Sequence, residues 1–509
     1  MADRSQRKRG SVTYREVGDA YFDQRGLKRH AGVWSLWALG VAAVISGDFS
    51  GWNLGIGFGG WGGLVVATVF ITIMYIGLCY SIAEMSPALP HTGGAYSFGR
   101  SALGPWGGFI TGLAENIEYV LTPAVVVFFA GFYLQSSVEI LFDVSVPQPW
   151  WWLILYVIFV GLNIVGIEAT MRFSVVICLL SLAILAVFFI GAIGHFDSSL
   201  LTEIPPEEGN SSFLPFGISG IFKALPYAIW FYLAIEELPL AAEESMDPKR
   251  DIPRGTLLGL LTLIITGGLV LVLNPGIPPG AQEIGQSGEP LLDGFKTIFG
   301  SSEKLAALFG LFAVIGIVAS FHTIIYAYGR NIFSLSRAGY FPHWMSITHG
   351  TRKTPWLALI LGGVVGYIAA FILYRQESGS DVGAALLNMA VFGAVISYFM
   401  QMLSFILLRR NLPNIDRPYR SPIGVAGAAI AGVIALTSLI ALYLDDAYRP
   451  AVYGVAIWFV IGLLYFAIAG RNRLVLSPEE EFAVSRGEKG HPERGGYGEE
   501  VAAGERREP

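Results

Sequence analysis

Charge is what this chain has least of. Only 14% of its 509 residues are Asp, Glu, Lys or Arg, where a soluble domain carries about 25%. The deficit excludes a water-facing globular surface over most of the length and places the chain among membrane proteins. The net charge of −6 is small and dispersed, which excludes the basic surface that nucleic acid requires. Cysteine is nearly absent. Cys79 and Cys178 both fall inside apolar runs, so no disulfide framework is expected and both read as buried free thiols. Catalytic signatures are missing as well: there is no His/Glu pair at zinc-site spacing, no nucleophile elbow and no phosphate-binding glycine loop. An enzyme, a resident metal and a cofactor are therefore not expected. Residues 1–30 lack the short apolar core of a cleavable signal.

What fills the space is apolar sequence. Hydrophobic residues make up 53% of the chain, arranged in runs of the length that crosses a bilayer, about 20 residues. Twelve spans are expected near 33–58, 61–85, 106–136, 150–167, 172–194, 217–240, 255–274, 304–336, 355–374, 383–408, 424–444 and 449–470. The fold class is thus an all-α polytopic membrane protein with the bilayer as its solvent. Residues 275–303 are rich in Pro, Gly and acids and read as a loop with a short surface helix. The tails, 1–30 and 471–509, are hydrophilic and expected to be poorly ordered.

Lys and Arg set the orientation. With the N-terminus inside, the inner segments hold Arg100, Arg172, Lys249, Arg250, Arg254, Arg330, Arg337, Arg352, Lys353, Arg409, Arg410, Arg417 and Arg420. The outer segments hold Lys296, Lys304, Arg375 and Arg449. Both termini are therefore expected in the cytoplasm, with the chain in the plasma membrane. The basic residues at 249–254 and Arg337 read as braces in inner loops.

Two apolar runs contain residues that do not belong in hydrocarbon. The first holds Ser46-Gly47-Asp48-Phe49-Ser50-Gly51-Trp52. An acid at mid-bilayer depth is costly and faces a cavity, a partner or a ligand path, and the glycines at 47, 51 and 55 allow the helix to unwind there. The second is 226–244, where Pro226 and Pro239 bracket Glu236 and Glu237 and interrupt the helix. These are the first and the sixth spans. Paired interruptions at corresponding positions of two halves point to a transporter site at the midplane.

Four stretches resemble the amino acid–polyamine–organocation superfamily over residues 30–470. Ser46-Gly47-Asp48-Phe49 is similar to that family's Gly-Ser-Gly-Ile-Phe break. Pro90-His91-Thr92-Gly93-Gly94-Ala95-Tyr96, followed by Gly104-Pro105, resembles its Pro-x-Ser-Gly-Gly-x-Tyr loop. Glu236, Ala242-Glu243-Glu244 and the run Asp247 to Gly255 resemble the segment after its sixth helix. Gly329-Arg330, Leu335 to Gly339 and Pro342 resemble the end of its eighth. The variant Gly47-Asp48-Phe49-Ser50-Gly51-Trp52-Asn53 is most similar to the ethanolamine permease branch. The resemblance implies five-plus-five inverted repeats, near 31–195 and 215–410, with broken helices 1 and 6, two peripheral helices near 424–470 and alternating access about a central site. It also implies transport of amino acids or organic amines by symport or exchange.

Candidate residues follow. Asp48 replaces the family's apolar residue and suits an ammonium, although Asp is also a favoured helix N-cap. The backbone at Ser46, Gly47, Phe49 and Ser50 would bind substrate beside it. Glu115 and Glu118 share one face of the third span and are candidates for proton coupling, with Glu115 preferred for substrate contact. The resemblance makes Trp230 a gate over substrate, with Tyr232 beside it, and its indole suits a cation. Glu236 either responds to protons or caps the second half of its helix. His322, inside the eighth span, is either a binding or coupling group or a hydrogen-bonded core residue. Ser320 and Thr323 are candidates for a sodium site, although geometry decides that. Ser181 stands where proton-coupled relatives carry Lys, so H+ and Na+ both stay open. The expected solute is ethanolamine or a similar small amine. The alternatives are an amino acid permease and a non-transporting sensor. The oligomeric state is not legible.

Overall fold

The computed structural model describes residues 6–9, 11–15, 17, 19–89, 91, 93–300, 302–376, 380–444, 448–476 and 480. Pro90 and Thr92 of the glycine-rich loop motif, and most of the 471–509 tail, lie outside the described residues.

Among the described residues, eleven helices are long and apolar enough to cross a membrane, and Val33–Phe49 is a shorter apolar stretch ahead of them. Span 1 consists of Val33–Val44, Ser46–Phe49 and residues 54–59. Span 2 is 61–88 and span 3 ends the helix Gly94–Phe142. Spans 4 and 5 are Gln148–Val165 and Ile167–Ile193. Span 6 is Gly217–Trp230 followed by Ile235–Glu244. Spans 7 to 12 are Pro248–Leu273, Glu303–Arg337, Trp356–Gln376, Ser380–Asn411, Gly424–Leu444 and Arg449–Ile468. Each expected span coincides with one of these, so the chain is an integral, multi-pass, all-α membrane protein.

The helices run longer than the apolar periodicity suggested because two glycines turn the chain without ending the winding. Gly60 (φ 71°) joins span 1 to span 2, and Gly104 (φ 78°) joins the helix 94–103 to span 3. Only glycine adopts that region without strain. Span 3 packs against spans 8 and 10, span 2 against spans 6, 7 and 11, and span 1 against span 7. Small residues permit the closest approach: a Cβ at Gly77 would lie 2.7 Å from the Gly427 carbonyl oxygen of span 11.

On the face that carries the basic segments, several of the arginines counted for orientation are built into helix ends. Arg330 is fully buried and grips Glu244 in a bidentate pair, Nη2 to Oε1 at 2.8 Å and Nε to Oε2 at 3.0 Å, while the Tyr326 hydroxyl donates to the same carboxylate. Arg337 grips Glu243 in the same way, with Nη1 donating to Oε2 at 2.8 Å. Arg409 grips Glu84 of span 2. Two adjacent glutamates at the end of span 6 are thus tied to span 8, and the bracing expected of Arg337 is present.

The tails differ from the expectation. Val12–Arg15 pairs with Leu474–Val475 in parallel and with Gln6–Arg9 in antiparallel register. Tyr14 donates to Glu480 at 3.0 Å, and Arg100 donates to the same carboxylate at 2.8 Å. Val12, Tyr14 and Leu474 bury against Tyr340 and Phe466. That apolar seat orders the segment, and strands this short leave no readable period in a polar tail. The segment 275–303 also exceeds the surface helix expected of it. It forms Ala281–Ile284 and Pro290–Phe299, and Leu291, Leu292 and Phe295 are completely buried.

Removing one partner of a buried pair leaves an uncompensated charge and costs about 3–5 kcal/mol. Glu244→Gln is therefore expected to lower the thermal midpoint in detergent markedly. The double change Glu244→Gln with Arg330→Gln is expected to recover part of that loss, and thermal unfolding of the purified variants checks both.

Candidate functional site at the paired helix breaks

The break in span 1 leaves backbone groups that the bilayer cannot satisfy, and neighbouring spans satisfy them. Ser50 is extended (φ −165°, ψ 161°) and Gly51 has φ 93° before helix resumes at Leu54. The Ser46 amide donates to Ser320 Oγ at 2.9 Å, and that hydroxyl donates to the Ala42 carbonyl at 2.8 Å. Tyr133 of span 3 donates to the Phe49 carbonyl at 2.7 Å, and Trp230 Nε1 donates to the Ser50 carbonyl at 3.0 Å. From the opposite face the 275–303 segment closes down. Ser50 Oγ donates to the Gly288 carbonyl, and Asn53 Nδ2 donates to the carbonyls of Ile284 and Ser287.

Span 6 breaks beside it. Winding stops after Trp230, Ala234 has φ 84°, and Ile235–Glu244 continues as a 3-10 helix. A 3-10 run of that length is uncommon and marks a strained or hinge segment. The two breaks touch. A Cβ at Gly47 would sit 2.4 Å from the Trp230 carbonyl oxygen, and one at Gly51 would sit 2.7 Å from Trp230 Nε1. Glycine at 47 is therefore a packing requirement as well as a hinge.

Asp48 lies within this contact, 1% exposed, and neither carboxylate oxygen has a hydrogen-bond partner among the described residues. Thr266 and Gly267 of span 7 lie beside it: a Cβ at Gly267 would be 3.5 Å from Asp48 Oδ1. The resumed helix has Asn53 at its N-cap position, and Asn53 Oδ1 accepts from the Gly51 amide. Asp48 is thus not the cap of the second half-helix, and that simpler reading falls. Its charge is buried without an arginine or lysine paired to it among the described residues.

The remaining candidates divide into separate places. Trp230 and Ser320 belong to the break. Tyr232 lies just past it, hydrogen bonded to Thr72 at 2.7 Å with its ring 5.1 Å from Tyr75. Glu115, Glu118 and Glu236 form a group of their own. Glu115 accepts from Asn331 Nδ2 at 3.3 Å and from the Tyr119 hydroxyl at 3.5 Å, and a Cβ at Gly94 would lie 3.8 Å from its Oε1. Glu118 accepts from Tyr398 at 3.1 Å and faces Glu236. Glu115 is therefore held against span 8 and the start of the 94–103 helix, and its contacts do not reach the Asp48 break. Glu236 has no capping bond to its helix; Ala234 occupies that position.

His322 turns away from the break. Its Nδ1 is 3.1 Å from Asn163 Nδ2 of span 4, and its ring packs on Phe159 and Phe173. The structure places it among core side chains. Thr323 bonds back to the Ala319 carbonyl of its own helix, and Ser320 Oγ is used in both directions by span 1. Ser181, too, bonds back to its own helix. Among the described residues no three His, Cys, Asp or Glu side chains converge on a metal position, and Cys79 and Cys178 are buried and free. Sequence reasoning missed Thr266 and Gly267, although a Thr-Gly-Gly run inside an apolar span is a readable signal. It also missed Tyr133 and Tyr398, which no local pattern distinguishes from packing aromatics.

Residues 36–475 match the family described as amino acid permease. The chain is 27% identical over 454 residues to an uncharacterised transporter of Rhizobium meliloti, covering 87% of this chain and 92% of that one. It is 24% identical to a branched-chain amino acid permease of Bacillus subtilis, covering 89% and 96% of the two chains. It is likewise 24% identical to a low-affinity putrescine importer of Escherichia coli, covering 80% and 85%.

Two outcomes are expected. Gly47→Ala is expected to abolish uptake while the protein still inserts and stays folded, which transport assays paired with thermal unfolding check. In the 275–303 segment, burial pushes the Glu289 carboxyl up to about 7, with Ser136 and Lys296 opposing. Its folded value lies above the unfolded value, so docking of this segment is strongest below the unfolded value and weakens as pH rises toward 7. Hydrogen exchange in 281–299, corrected for intrinsic rates, is expected to quicken between pH 5 and 8, and Glu289→Gln is expected to remove that dependence.

Proposed function

The chain belongs to the amino acid permease family, and on that premise we propose that it imports ethanolamine or a similar small cationic amine by alternating access. The transport unit is residues 31–470, set in the plasma membrane with both tails cytoplasmic, and an ion gradient drives uptake. The observation that carries this reading is Asp48, a buried carboxylate at the touching breaks with no cation on its oxygens and only the Thr266 hydroxyl beside it. In hydrocarbon surroundings such a charge needs a counter-charge, and a protonated amine supplies one. At about 4 Å and an effective dielectric near 20 the pair contributes roughly 4 kcal/mol before desolvation. That favours a cation over a zwitterion. Trp230, whose indole already lies against the break, gives the ammonium a π face worth about 0.5–2 kcal/mol and closes over it as the gate. Ser50 and Tyr232, at the edges of the same contact, suit the solute's hydroxyl.

A relative that imports putrescine supports an amine. A relative that carries branched-chain amino acids favours the second reading, an amino acid permease. In that reading the amides of span 1 receive a substrate carboxylate. Two features weigh against it: Asp48 would repel that carboxylate, and the Ser46 amide is already given to Ser320. A sensor that binds without moving its ligand is the remaining alternative, and uptake into proteoliposomes separates it from a carrier.

Asp48→Asn is expected to weaken apparent affinity for labelled ethanolamine by more than about tenfold, equivalent to 1.4 kcal/mol, with insertion intact. Unlabelled amino acids are expected not to compete. Strong competition by leucine or alanine with none by ethanolamine would establish the amino acid reading instead.

A further inference from the structure

Span 7 passes the break of span 1 with two adjacent glycines that face different ways. Gly268 is exposed, and a Cβ built on it would meet no atom within 4 Å. Gly267 is buried, and a Cβ there would lie 3.0 Å from Phe231 Cδ1 and 3.5 Å from Asp48 Oδ1. A single methyl group at 267 would thus touch both the carboxylate and the ring. The backbone does not ask for glycine here. Gly267 lies inside the helix Pro248–Leu273 and is not among the glycines with positive φ, and in a helix glycine is a poorer former than alanine. Its reason is space beside Asp48. We propose that Gly267 is the specificity-determining residue of the carrier, setting with Phe231 how large an ammonium head Asp48 accepts. The proposal rests on the amine reading and deepens it.

The groups around Gly267 suit such a head. Phe231 and Trp52 are completely buried, with ring centroids 5.5 Å apart and planes 31° from parallel. Trp230 approaches the break from the span 3 side, against Gly51 and Phe129, while Phe231 approaches from span 7. Aromatic faces attract an ammonium and the polarised carbons attached to it. Buried polar groups nearly always have partners, yet three at this place have none among the described residues: the Asp48 carboxylate, the Thr266 hydroxyl and the Trp52 indole N–H. One acceptor of a positive charge and two donors therefore stand unclaimed about one pair of rings. An ammonium that also carries a hydroxyl engages that set, with its nitrogen on Asp48 and its N-substituents against Phe231.

Adding a methyl at 267 separates size from charge. Asp48 stays in place, so attraction for a cation persists. The room on its flank falls, and the Phe231 ring, 3.0 Å from the new carbon, must give way. Ethanolamine, with three hydrogens on nitrogen, loses least. Each N-methyl group competes for the space that the alanine methyl has taken. One methylene too many in an apolar pocket costs about tenfold or more in discrimination.

The test is competition for labelled ethanolamine uptake by full-length protein in proteoliposomes, using N-methylethanolamine, N,N-dimethylethanolamine and choline. Its readout is the apparent affinity for ethanolamine relative to that for the dimethyl compound. Gly267→Ala is expected to raise that ratio by at least about tenfold. Gly268→Ala, which adds the same methyl and the same helix propensity one residue away, is expected to leave it unchanged. Phe231→Leu, which trims the facing ring, is expected to lower it, and the double variant Gly267→Ala with Phe231→Leu is expected to fall between the two. Gly267→Ala weakening every amine by one factor, or leaving the ratio unmoved, overturns the proposal. So does an equal effect of Gly268→Ala. Should Gly267→Ala fail to insert, Phe231→Leu decides alone, and an unmoved ratio there is fatal. Recognition of none of these amines by the unsubstituted protein overturns the amine reading together with this inference, whereas recognition that ignores residues 267 and 231 overturns this inference only.

Discussion

Unwound backbone in hydrocarbon has no water to complete its hydrogen bonds, and the architecture around residues 45–53 answers that constraint. A helix satisfies its own amides and carbonyls; a break hands them to neighbours. Here the neighbours come from several directions. Ser320 of span 8 bridges the Ala42 carbonyl and the Ser46 amide, Tyr133 of span 3 takes the Phe49 carbonyl, Trp230 of span 6 takes the Ser50 carbonyl, and the 275–303 segment takes Ser50 Oγ and Asn53. Each bond spans two elements. The break is held by the same contacts that an opening movement would have to exchange, so the cost of moving is distributed over bonds that can be traded one for another.

The basic face is secured by a different kind of contact. Glu243 and Glu244 close the 3-10 half of span 6 against Arg337 and Arg330 of span 8. Ala338, directly after Arg337, accepts from the Val475 amide of the tail sheet. The terminal strands and the end of span 6 therefore meet on one short piece of chain. Bidentate guanidinium–carboxylate pairs are rigid and directional, and here they tie the end of span 6 to span 8.

Much of this was legible before any coordinates. The spans were readable because hydrocarbon forces near-continuous apolarity for the length of a crossing, and the breaks because Asp48 and Glu236 violate it. The contact between Gly47 and Trp230 was not legible, since the two residues are far apart in the chain. His322 shows where reading stops. Its residue type and depth suited function, yet helical phase points it to Asn163 while Ser320, two positions earlier, points to span 1. Phase within a nearly uniform apolar helix cannot be taken from sequence, because polar and apolar faces are no longer distinguished. The tail sheet was invisible for the opposite reason: strands of two to four residues carry too few positions for a period.

The buried acids of this chain have three distinct electrostatic fates, and the distinction follows from what each can reach. Glu243 and Glu244 reach arginines and are fixed as ion pairs. Glu118 reaches the Tyr398 hydroxyl of span 10 and is held by that neutral donor. Asp48 reaches neither a cation nor another carboxyl. Moving any of them into another's place would fail. An arginine beside Asp48 would neutralise it permanently, as Glu244 is neutralised. A carboxyl beside Asp48 would claim a proton in place of an ammonium. Its neighbours Thr266 and Gly267 do neither, since a hydroxyl and a missing side chain leave the charge unclaimed while keeping apolar atoms off it. An acid that must exchange a positively charged partner in every cycle has to be denied a permanent one, and the side chains around Asp48 have that character.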